Sequence, residues 1–362
     1  MTMTATVTAD PVNELYESLT GAERSRLGFV EEVRRSWARE LFPALRREFD
    51  ATAPAAATTD LDHALAHMRS LPSYPWFGWL EREAQKMKWR QLMEMAQAHP
   101  EAVAVLEASD QVTRRLATLP DWYTDIDIHC QPGGVWWSDQ AAVVYELGAR
   151  ILHMGRNTSL ELHRLFTDRC FAPIGDGGRI VDLGCGFGKS TVPFAERFGG
   201  AEVIGMDLSL PVLRLAHHRA RQRGLDITFT QADASDVPLP SGSCDIVTGT
   251  MVLHELPLPV LERTLQEAAR LLKPGGQLRF LEFARTGDTF RDAAMVDHAM
   301  RNNEPFIPQL MQVDVAGMLT DAGLTDAGWV PFDERGAGPC PDGFPPRPEW
   351  HFPWAVLTAA RP

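Results

Sequence analysis

Cysteine is scarce and scattered in this 362-residue chain. The five cysteines are odd in number and show no C-x-x-C spacing: Cys130, Cys170, Cys185, Cys244 and Cys340. A disulfide framework or a structural zinc site is therefore not predicted, and a reducing cytoplasmic location fits this usage. No apolar run reaches the ~18–20 residues that span a bilayer, and the first 14 residues show no secretory pattern. We expect no membrane partner.

Basic residues are also fewer than acidic ones. The chain has 35 lysines and arginines against 48 aspartates and glutamates, a net charge of −13. Nucleic-acid-binding proteins usually present a basic face, so this balance disfavours a nucleic-acid substrate. The apolar fraction of 44% is ordinary, and the length allows two globular domains.

Residues 11–119 carry mostly helical patterns. Apolar residues recur at helical spacing over residues 23–49, and Pro43 is expected to end or bend that helix. A second long helix is predicted over residues 75–98, with an aromatic and methionine face suited to a core or a dimer interface. A third is predicted over residues 100–119. We expect a helical domain over residues 1–170 that covers the acceptor, forms a homodimer, or both.

Strand and helix patterns alternate after residue 171. Strands are predicted over residues 179–183, 202–207, 227–230, 245–249 and 277–283. Helices are predicted between them, over residues 190–198, 209–223 and 258–272. This alternation indicates an α/β domain over residues 171–362 with a parallel sheet covered on both faces. Ligands of such sheets bind at the carboxyl ends of the strands.

A glycine-rich turn follows the first of these strands. Gly184, Gly186 and Gly188 stand at every second position of RIVDLGCGFGKS. Residues without a Cβ let a ligand lie against main chain at the start of a helix. Asp207 ends the second strand, where an acid can accept from both hydroxyls of a bound ribose.

Three details favour a nucleoside ligand over a dinucleotide. Lys189 stands where the third glycine of a dinucleotide turn is needed. Asp182, just before the glycines, repels a diphosphate but suits a cationic amino group. Asp233 follows the third strand, placed to accept from an adenine amine. A nicotinamide-dependent oxidoreductase therefore ranks as the rival enzyme class.

Five segments together resemble a class I S-adenosylmethionine-dependent methyltransferase of the quinone-biosynthesis and small-molecule type. They are VDLGCGFGKS, GMDLS, QADASDVPLP, CDIVTGTMVLHELP and LLKPGGQL, within residues 178–283. The resemblance implies a Rossmann-like seven-stranded sheet, with residues 324–330 as sixth strand and residues 351–360 as antiparallel last strand. It implies S-adenosyl-L-methionine as cofactor.

The resemblance also implies residue roles. Asp182 and the three glycines would hold the methionine end, Asp207 the ribose and Asp233 the adenine. Leu208 and Ala234 join these cofactor-binding positions, and the main chain around Thr250 and Met251 would line the sulfur side.

His254, just beyond the fourth strand, is the candidate catalytic base. Imidazole titrates near pH ~6.5 and can take a proton from a hydroxyl. The resemblance suggests this role, while in many related enzymes a histidine there only packs or caps a helix. Glu255 would orient the imidazole or serve as a first-turn acid. His298, on a helix predicted over residues 289–301, is a candidate acceptor residue, a metal ligand together with His254, or an exposed helix residue.

The segment before the glycine turn supplies the remaining acceptor candidates. Residues 121–139 mix aromatics, carboxylates and a histidine, which is costly to bury unless the loop lines a site. We nominate His129, Trp136, Tyr145 and Arg156, with Arg156 as partner of an acceptor carboxylate. A domain-junction cluster is the alternative. Residues 331–349 are expected to form a flap over the acceptor or a hairpin loop.

The predicted function is methyl transfer from S-adenosylmethionine to a small hydroxyl- or carboxylate-bearing molecule. His254 favours an oxygen acceptor, and no resident metal is assigned. Alternatives are a metal-assisted C-methyltransferase on a 2-oxo acid through His254 and His298, an S-methyltransferase, the nicotinamide enzyme, and a non-enzymatic cofactor-binding module.

Overall fold

The computed structural model of the protein describes residues 10–107, 111–152 and 159–362. Its helices are α1 Pro11–Ser18, α2 Gly21–Ser36, α3 Phe42–Thr52, α4 Leu61–Ser70, α5 Tyr74–Ala98, α6 Glu101–Glu107, α7 Asp121–Thr124, α8 Asp139–Leu152, α9 Glu161–Cys170, α10 Thr191–Arg197, α11 Leu210–Gln222, α12 Leu258–Leu271, α13 Thr289–Arg301, α14 Ile307–Leu310 and α15 Val315–Asp321. Its strands are β1 Arg179–Leu183, β2 Glu202–Asp207, β3 Thr228–Gln231, β4 Cys244–Thr250, β5 Leu272–Phe283, β6 Thr325–Asp333, β7 Gly338–Pro339 and β8 Trp354–Ala360. No helix in these ranges is long and apolar enough to cross a membrane.

Pro43 interrupts the hydrogen-bond ladder of the long N-terminal helix without ending it. A π-helical turn, Trp37–Leu41, joins α2 to α3, and the Phe42 N–H donates to the carbonyl of Trp37. Pro43 has no N–H for the α-helical bond to residue 39, so the ladder is already broken at this position. The helix therefore changes its hydrogen bonding where the sequence predicts an end or a bend.

The predicted third helix over residues 100–119 is wrong in its second half. Helix α6 covers Glu101–Glu107, residues 111–119 are not helical, and Thr113 instead pairs with Thr230 at the edge of the sheet. The Thr113 N–H donates to the Phe229 carbonyl at 3.2 Å, and the Thr113 carbonyl accepts from Gln231 N–H at 2.8 Å. An open strand edge offers unpaired main-chain groups, and pairing with them outweighs the local helical propensity.

One sheet organises the second half of the chain. Within the described residues it has eight strands in the order β3-β2-β1-β4-β5-β8-β6-β7. Strands β1 to β5 pair in parallel, and β8 runs antiparallel between β5 and β6. The predicted α/β class and antiparallel last strand are confirmed. The count differs by the two-residue β7, which forms a short hairpin with β6 at the far edge.

Helices cover both faces of the sheet, as the strand and helix alternation predicts. On one face Leu261 and Leu265 of α12 and Leu319 of α15 are fully buried in one apolar core. A second core contains Leu213 of α11 and Phe194 of α10 together with side chains of the N-terminal helices, such as Phe42. The N-terminal helices are thus packed into the same core as the sheet.

A buried ionic network links α5 to α13. Glu81 of α5 is 1% exposed and accepts from Arg301 Nε at 2.7 Å and from His298 Nδ1. Burial alone would raise the pKa of Glu81, but Arg301 and His298 outweigh it and lower the pKa to about 2. Asp297 of α13 binds Arg69 in turn, at 2.8 Å. We call Glu81, Asp297, His298 and Arg301 the seam network.

Replacing Gly184 by alanine is expected to lower the free energy of unfolding by about 2–4 kcal/mol. Gly184 has a φ of +66°, and an added Cβ would lie 2.3 Å from Val252 Cγ2. Gly186→Ala is the matched control, since Gly186 has a φ of +51° but no atom within 4 Å of its added Cβ. It should cost about 1 kcal/mol, for the backbone alone. Equal losses in urea unfolding of the two variants would contradict the packing argument.

Candidate functional site

The candidate site lies where β1, β2 and β4 end at the same edge of the sheet. Gly184, Gly186 and Gly188 all have positive φ, which turns the chain sharply from β1 towards α10. Gly184 and Gly188 abut side chains, whereas a Cβ on Gly186 would meet nothing within 4 Å. Gly186 lines the cavity at this edge. The turn therefore offers one open stretch of main chain to a ligand.

Asp182 supports this turn from beneath. Its Oδ2 accepts from the hydroxyls of Ser190 and Thr191, both at 2.6 Å, while its Oδ1 is buried without a hydrogen-bond partner. Burial raises the pKa of Asp182 to about 6, against the effect of the two hydroxyls. The side chain is fully buried, and Asp182 is outside the set of residues that line the cavity.

Asp207 lines the cavity at the end of β2. Its Oδ2 accepts from Gly186 N–H at 2.9 Å and its Oδ1 from Ser209 N–H at 2.8 Å. Each oxygen keeps a second lone pair for a ligand hydroxyl. Burial raises the pKa of Asp207 to about 6, although both N–H groups act to lower it.

The other predicted cofactor positions surround the same cavity. Leu208, Asp233, Ala234, Thr250 and Met251 all line it. Asp233 Oδ1 accepts from Ser235 N–H at 2.7 Å, which fixes the carboxylate beyond β3. The Thr250 hydroxyl is buried without a partner, at the end of β4.

His254 lines the cavity next to these positions and is held by a carboxylate. Its Nδ1 lies 2.6 Å from Oε1 of Glu282, at the end of β5. Glu282 Oε2 accepts from the Leu253 N–H at 2.9 Å, so the carboxylate is itself fixed. Burial alone would lower the pKa of His254, but Glu282 outweighs it and raises the pKa above 6.5. With Nδ1 engaged, Nε2 is the nitrogen left for a ligand.

His129 is clamped between two acids. Its Nε2 lies 3.2 Å from Glu255 Oε1 and its Nδ1 lies 3.1 Å from Glu304 Oε1. Tyr145 stacks on the ring, with centroids 5.7 Å apart. Burial alone would lower the pKa of His129, but the two acids raise it to about 10, so the ring carries a positive charge at neutral pH. Glu255 thus pairs with His129, and its Oε1 lies 4.0 Å from Nε2 of His254.

His298 also lines the cavity, but its Nδ1 is bound to Glu81 in the seam network. It is 2% exposed, so the expectation of an exposed helix residue is wrong. Across the described ranges, no group of three or more histidine, cysteine, aspartate or glutamate side chains is arranged to hold a metal ion.

Of the remaining acceptor candidates, some line the cavity and others do not. Tyr145 lines the cavity with His129. Trp136 does not line it, because its indole packs over Gly134 in the Pro-Gly-Gly turn, with Nε1 2.9 Å from the position of an added Cβ. Arg156 lies outside the described residues. Residues 331–349, expected to form a flap or a hairpin loop, are outside the set of residues that line the cavity, and their first part pairs with β7 in a short hairpin. Phe352, beyond that loop and just before β8, does line the cavity.

Several functional candidates were missed from the sequence. Glu282 could have been suspected, because an acid stands within the apolar strand LRFLEF. Glu304 and Lys88 line the cavity without any local pattern that marks them. Lys189, whose place in the turn argued against a dinucleotide, lines the cavity and pairs with Glu146 of α8 at 3.2 Å.

The donor set fits a nucleoside that carries an ammonium group. The two free lone pairs of Asp207 match the two hydroxyls of a ribose. The unpartnered buried hydroxyl oxygen of Thr250, which lines the cavity, is an acceptor that a cationic group or a hydroxyl would satisfy. The open face of Gly186 leaves room for the ligand on main chain. This sheet edge is that of a nucleoside-binding α/β protein.

Comparisons with known proteins extend this assignment. A family described as "Methyltransferase domain" matches residues 180–276. An uncharacterized methyltransferase of Synechocystis is 30% identical over 52% of this chain and 85% of its own length. A demethylmenaquinone methyltransferase of Thermus thermophilus is 41% identical over 29% of this chain, which spans 47% of that protein. The geranyl diphosphate C-methyltransferase structure from Streptomyces coelicolor has a TM-score of 0.43 at 20% identity, covering 60% of this chain and 81% of that one.

The chain belongs to the methyltransferase family. The cofactor prediction is confirmed: this is an enzyme of the S-adenosylmethionine-dependent class.

Proposed function

We propose that the protein methylates a hydroxyl oxygen of a small aromatic molecule, with His254 as general base. The observation that carries this proposal is the His254–Glu282 pair, which leaves one imidazole nitrogen at the cavity beyond β4. A base is needed only when the acceptor atom carries a proton that it does not lose unaided.

The roles of the chain's residues follow from their positions. Asp207, Asp233 and the glycine turn hold the nucleoside, and Asp182 shapes the turn from beneath. The bound cofactor supplies a methyl carbon already activated by its sulfonium. His254 accepts the hydroxyl proton at Nε2, and Glu282 stabilises the imidazolium that forms. His129 and Tyr145 close the cavity and exclude water.

The lining of the cavity supports an aromatic acceptor. Phe283 and Phe352 stack at 4.9 Å between centroids, and Phe283 lies 4.9 Å from the His254 ring. Trp89 and Tyr145 line the cavity from the N-terminal side. Flat rings favour a flat ligand because aromatic pairs gain about 0.5–1.5 kcal/mol beyond simple burial.

The rate of methyl transfer is expected to rise with pH and to level off above the pKa of His254. Below that pKa the imidazole is fully protonated and cannot accept a proton. Because Glu282 raises the pKa of His254, the pH at which kcat reaches half of its maximum should lie above 6.5. Glu282→Gln removes the charge and should move this midpoint down by about one pH unit or more. The measurement is S-adenosylhomocysteine release with phenols and catechols between pH 5 and 9.

Glu255 and Glu304 also face His254 and contribute to the wild-type pKa. Glu202→Gln is the control, since Glu202 is exposed at the start of β2 and pairs with Arg179. A midpoint that stays in place in Glu282→Gln would contradict the general-base assignment.

Methylation of ring carbon is the second candidate. The relatives include a ubiquinone/menaquinone biosynthesis C-methyltransferase of Bdellovibrio bacteriovorus, 28% identical over 57% of this chain. They also include a 27-O-demethylrifamycin SV methyltransferase of Amycolatopsis mediterranei, 30% identical over 41% of this chain. Deprotonation of a phenol by His254 would activate either the oxygen or a ring carbon. Carbon NMR of the labelled product distinguishes an ether methyl from a ring methyl.

A further inference from the structure

Lys88 places a buried amine on the wall of the cavity. It lies on α5, is 1% exposed and lines the cavity together with Gln85 and Trp89. Its Nζ lies 3.7 Å from the centroid of the Trp89 ring. Within residues 10–107, 111–152 and 159–362, no carboxylate forms an ion pair with this ammonium.

A second cation lies beside Lys88. Arg34 of α2 is 6% exposed, and its Nη1 donates to Gln85 Oε1 at 3.4 Å. Its Nε is buried and has no hydrogen-bond partner. The guanidinium repels the Lys88 ammonium, which burial already disfavours, and both effects lower the pKa of Lys88. The amide of Gln85, three residues before Lys88 on α5, accepts from Arg34 and donates to the His129 carbonyl.

The nearby acids do not neutralise this pair. Glu304 attracts Lys88, but its Oε1 lies 3.1 Å from Nδ1 of His129 and already pairs with that imidazolium. Glu81 attracts Arg34, but it is bound to His298 and Arg301. A buried amine without a counter-ion loses its proton more readily, and a bound anion would restore its charged form. Lys88 lines the cavity, whereas Arg34 is outside the set of residues that line it, so Lys88 is the group that an incoming anion would meet.

We propose that Lys88 forms an anion-binding subsite that takes a carboxylate of the methyl acceptor, with Arg34 adding positive charge from outside the cavity lining. The acceptor would then be a hydroxylated aromatic acid. The subsite lies on the acceptor side, because Gln85 and Trp89, which flank Lys88 on α5, both donate to the carbonyl of His129. Arg156, expected from the sequence as the carboxylate partner, is not needed for this assignment. The inference rests on the proposed function only in placing the acceptor in this cavity.

The test uses full-length protein saturated with S-adenosylhomocysteine and two probes of the same shape. Benzoate carries the carboxylate, and benzamide carries a neutral group in its place. Ligand-observed NMR titrations at pH 7 should give at least a tenfold preference for benzoate, about 1.4 kcal/mol. Lys88→Met, which keeps the length of the side chain, should reduce this preference to less than twofold.

Two further measurements separate a binding role from a structural one. Lys88→Met should leave the affinity for S-adenosylhomocysteine unchanged and keep or raise the Tm, since it removes a buried polar group that has no ion-pair partner. Lys86→Met is the matched control, because Lys86 lies on the same helix with its side chain 46% exposed and pairs with Glu83. It should keep the benzoate preference.

Three results would overturn the proposal: a wild-type protein that binds benzamide as well as benzoate, a preference that survives in Lys88→Met, or a Tm that falls in that variant. Failure of His254 as general base would be seen in the pH profile and would leave benzoate binding as it is. The two proposals therefore fail in different experiments.

Discussion

Replacing Asp207 by alanine is expected to weaken the binding of S-adenosylmethionine by about 100-fold, equivalent to about 2.7 kcal/mol. The variant removes both acceptors for the ribose hydroxyls. It also releases the N–H of Gly186, which the carboxylate holds at 2.9 Å, so the glycine turn loses a support. Calorimetric titration of the purified protein measures this effect without knowledge of the acceptor.

Controls define what the loss of affinity means. Asp226→Ala removes an exposed acid before β3 and should bind the cofactor like the wild type. NADH should not bind to either protein at concentrations that saturate the wild type with S-adenosylmethionine. Binding of NADH, with loss in Asp207→Ala, would instead make the turn a truncated dinucleotide site.

The pH dependence of cofactor binding provides an internal check. Asp182 and Asp207 have pKa values raised to about 6 by burial, so both lose a proton as the pH rises through 6. A cationic ligand prefers the ionised carboxylates, so affinity should increase from pH 5 to pH 7 and then level off. In Asp207→Ala the affinity should change less between pH 5 and pH 7, because one of the two titrating carboxylates is absent.

His254→Asn is expected to lower kcat by roughly 10²–10⁴-fold, the usual contribution of a positioned general base. Asparagine can still donate to Glu282, so the variant does not leave that buried carboxylate without its side-chain donor. The affinity for S-adenosylmethionine should stay within twofold of the wild type, since His254 lies beyond the residues assigned to the nucleoside.

The outcome of this substitution separates catalysis from packing. If His254 only packs beneath the following helix, the variant should unfold at lower urea concentration while kcat falls less than tenfold. A large loss of kcat at unchanged stability supports the base. Partial rescue at high pH, where phenols ionise without help, would add a signature that a packing defect cannot produce.

Much of the sheet could be predicted from the sequence, because its information is local. Strands β1 and β2 have the predicted bounds, and the apolar runs and glycine turns that mark them are contiguous. Asp207 and His254 could be singled out for the same reason, since Asp207 is the last residue of β2 and His254 lies just beyond β4, which ends at Thr250. The position of a strand's end is enough to place its last side chain at the ligand edge.

The acceptor side could not be predicted, because it is made of contacts between distant segments. Glu304 meets His129, and Glu81 meets His298 across 217 positions of the chain. No spacing rule links such pairs. The helix prediction over residues 111–119 is wrong for a related reason. Their pattern is compatible with a helix, but an open strand edge lies within reach of Thr113.

The seam network also limits how this enzyme can evolve. Glu81 belongs to the N-terminal helices, while its partners His298 and Arg301 belong to the insertion after β5. A chimera that exchanged one part for that of a relative would leave the buried Glu81, or the buried His298, without its partner, although Arg301 would keep Asp297. Losing one partner of a buried pair costs roughly 3–5 kcal/mol. A substitution elsewhere in the cavity wall leaves this network in place, whereas an exchange of either part does not.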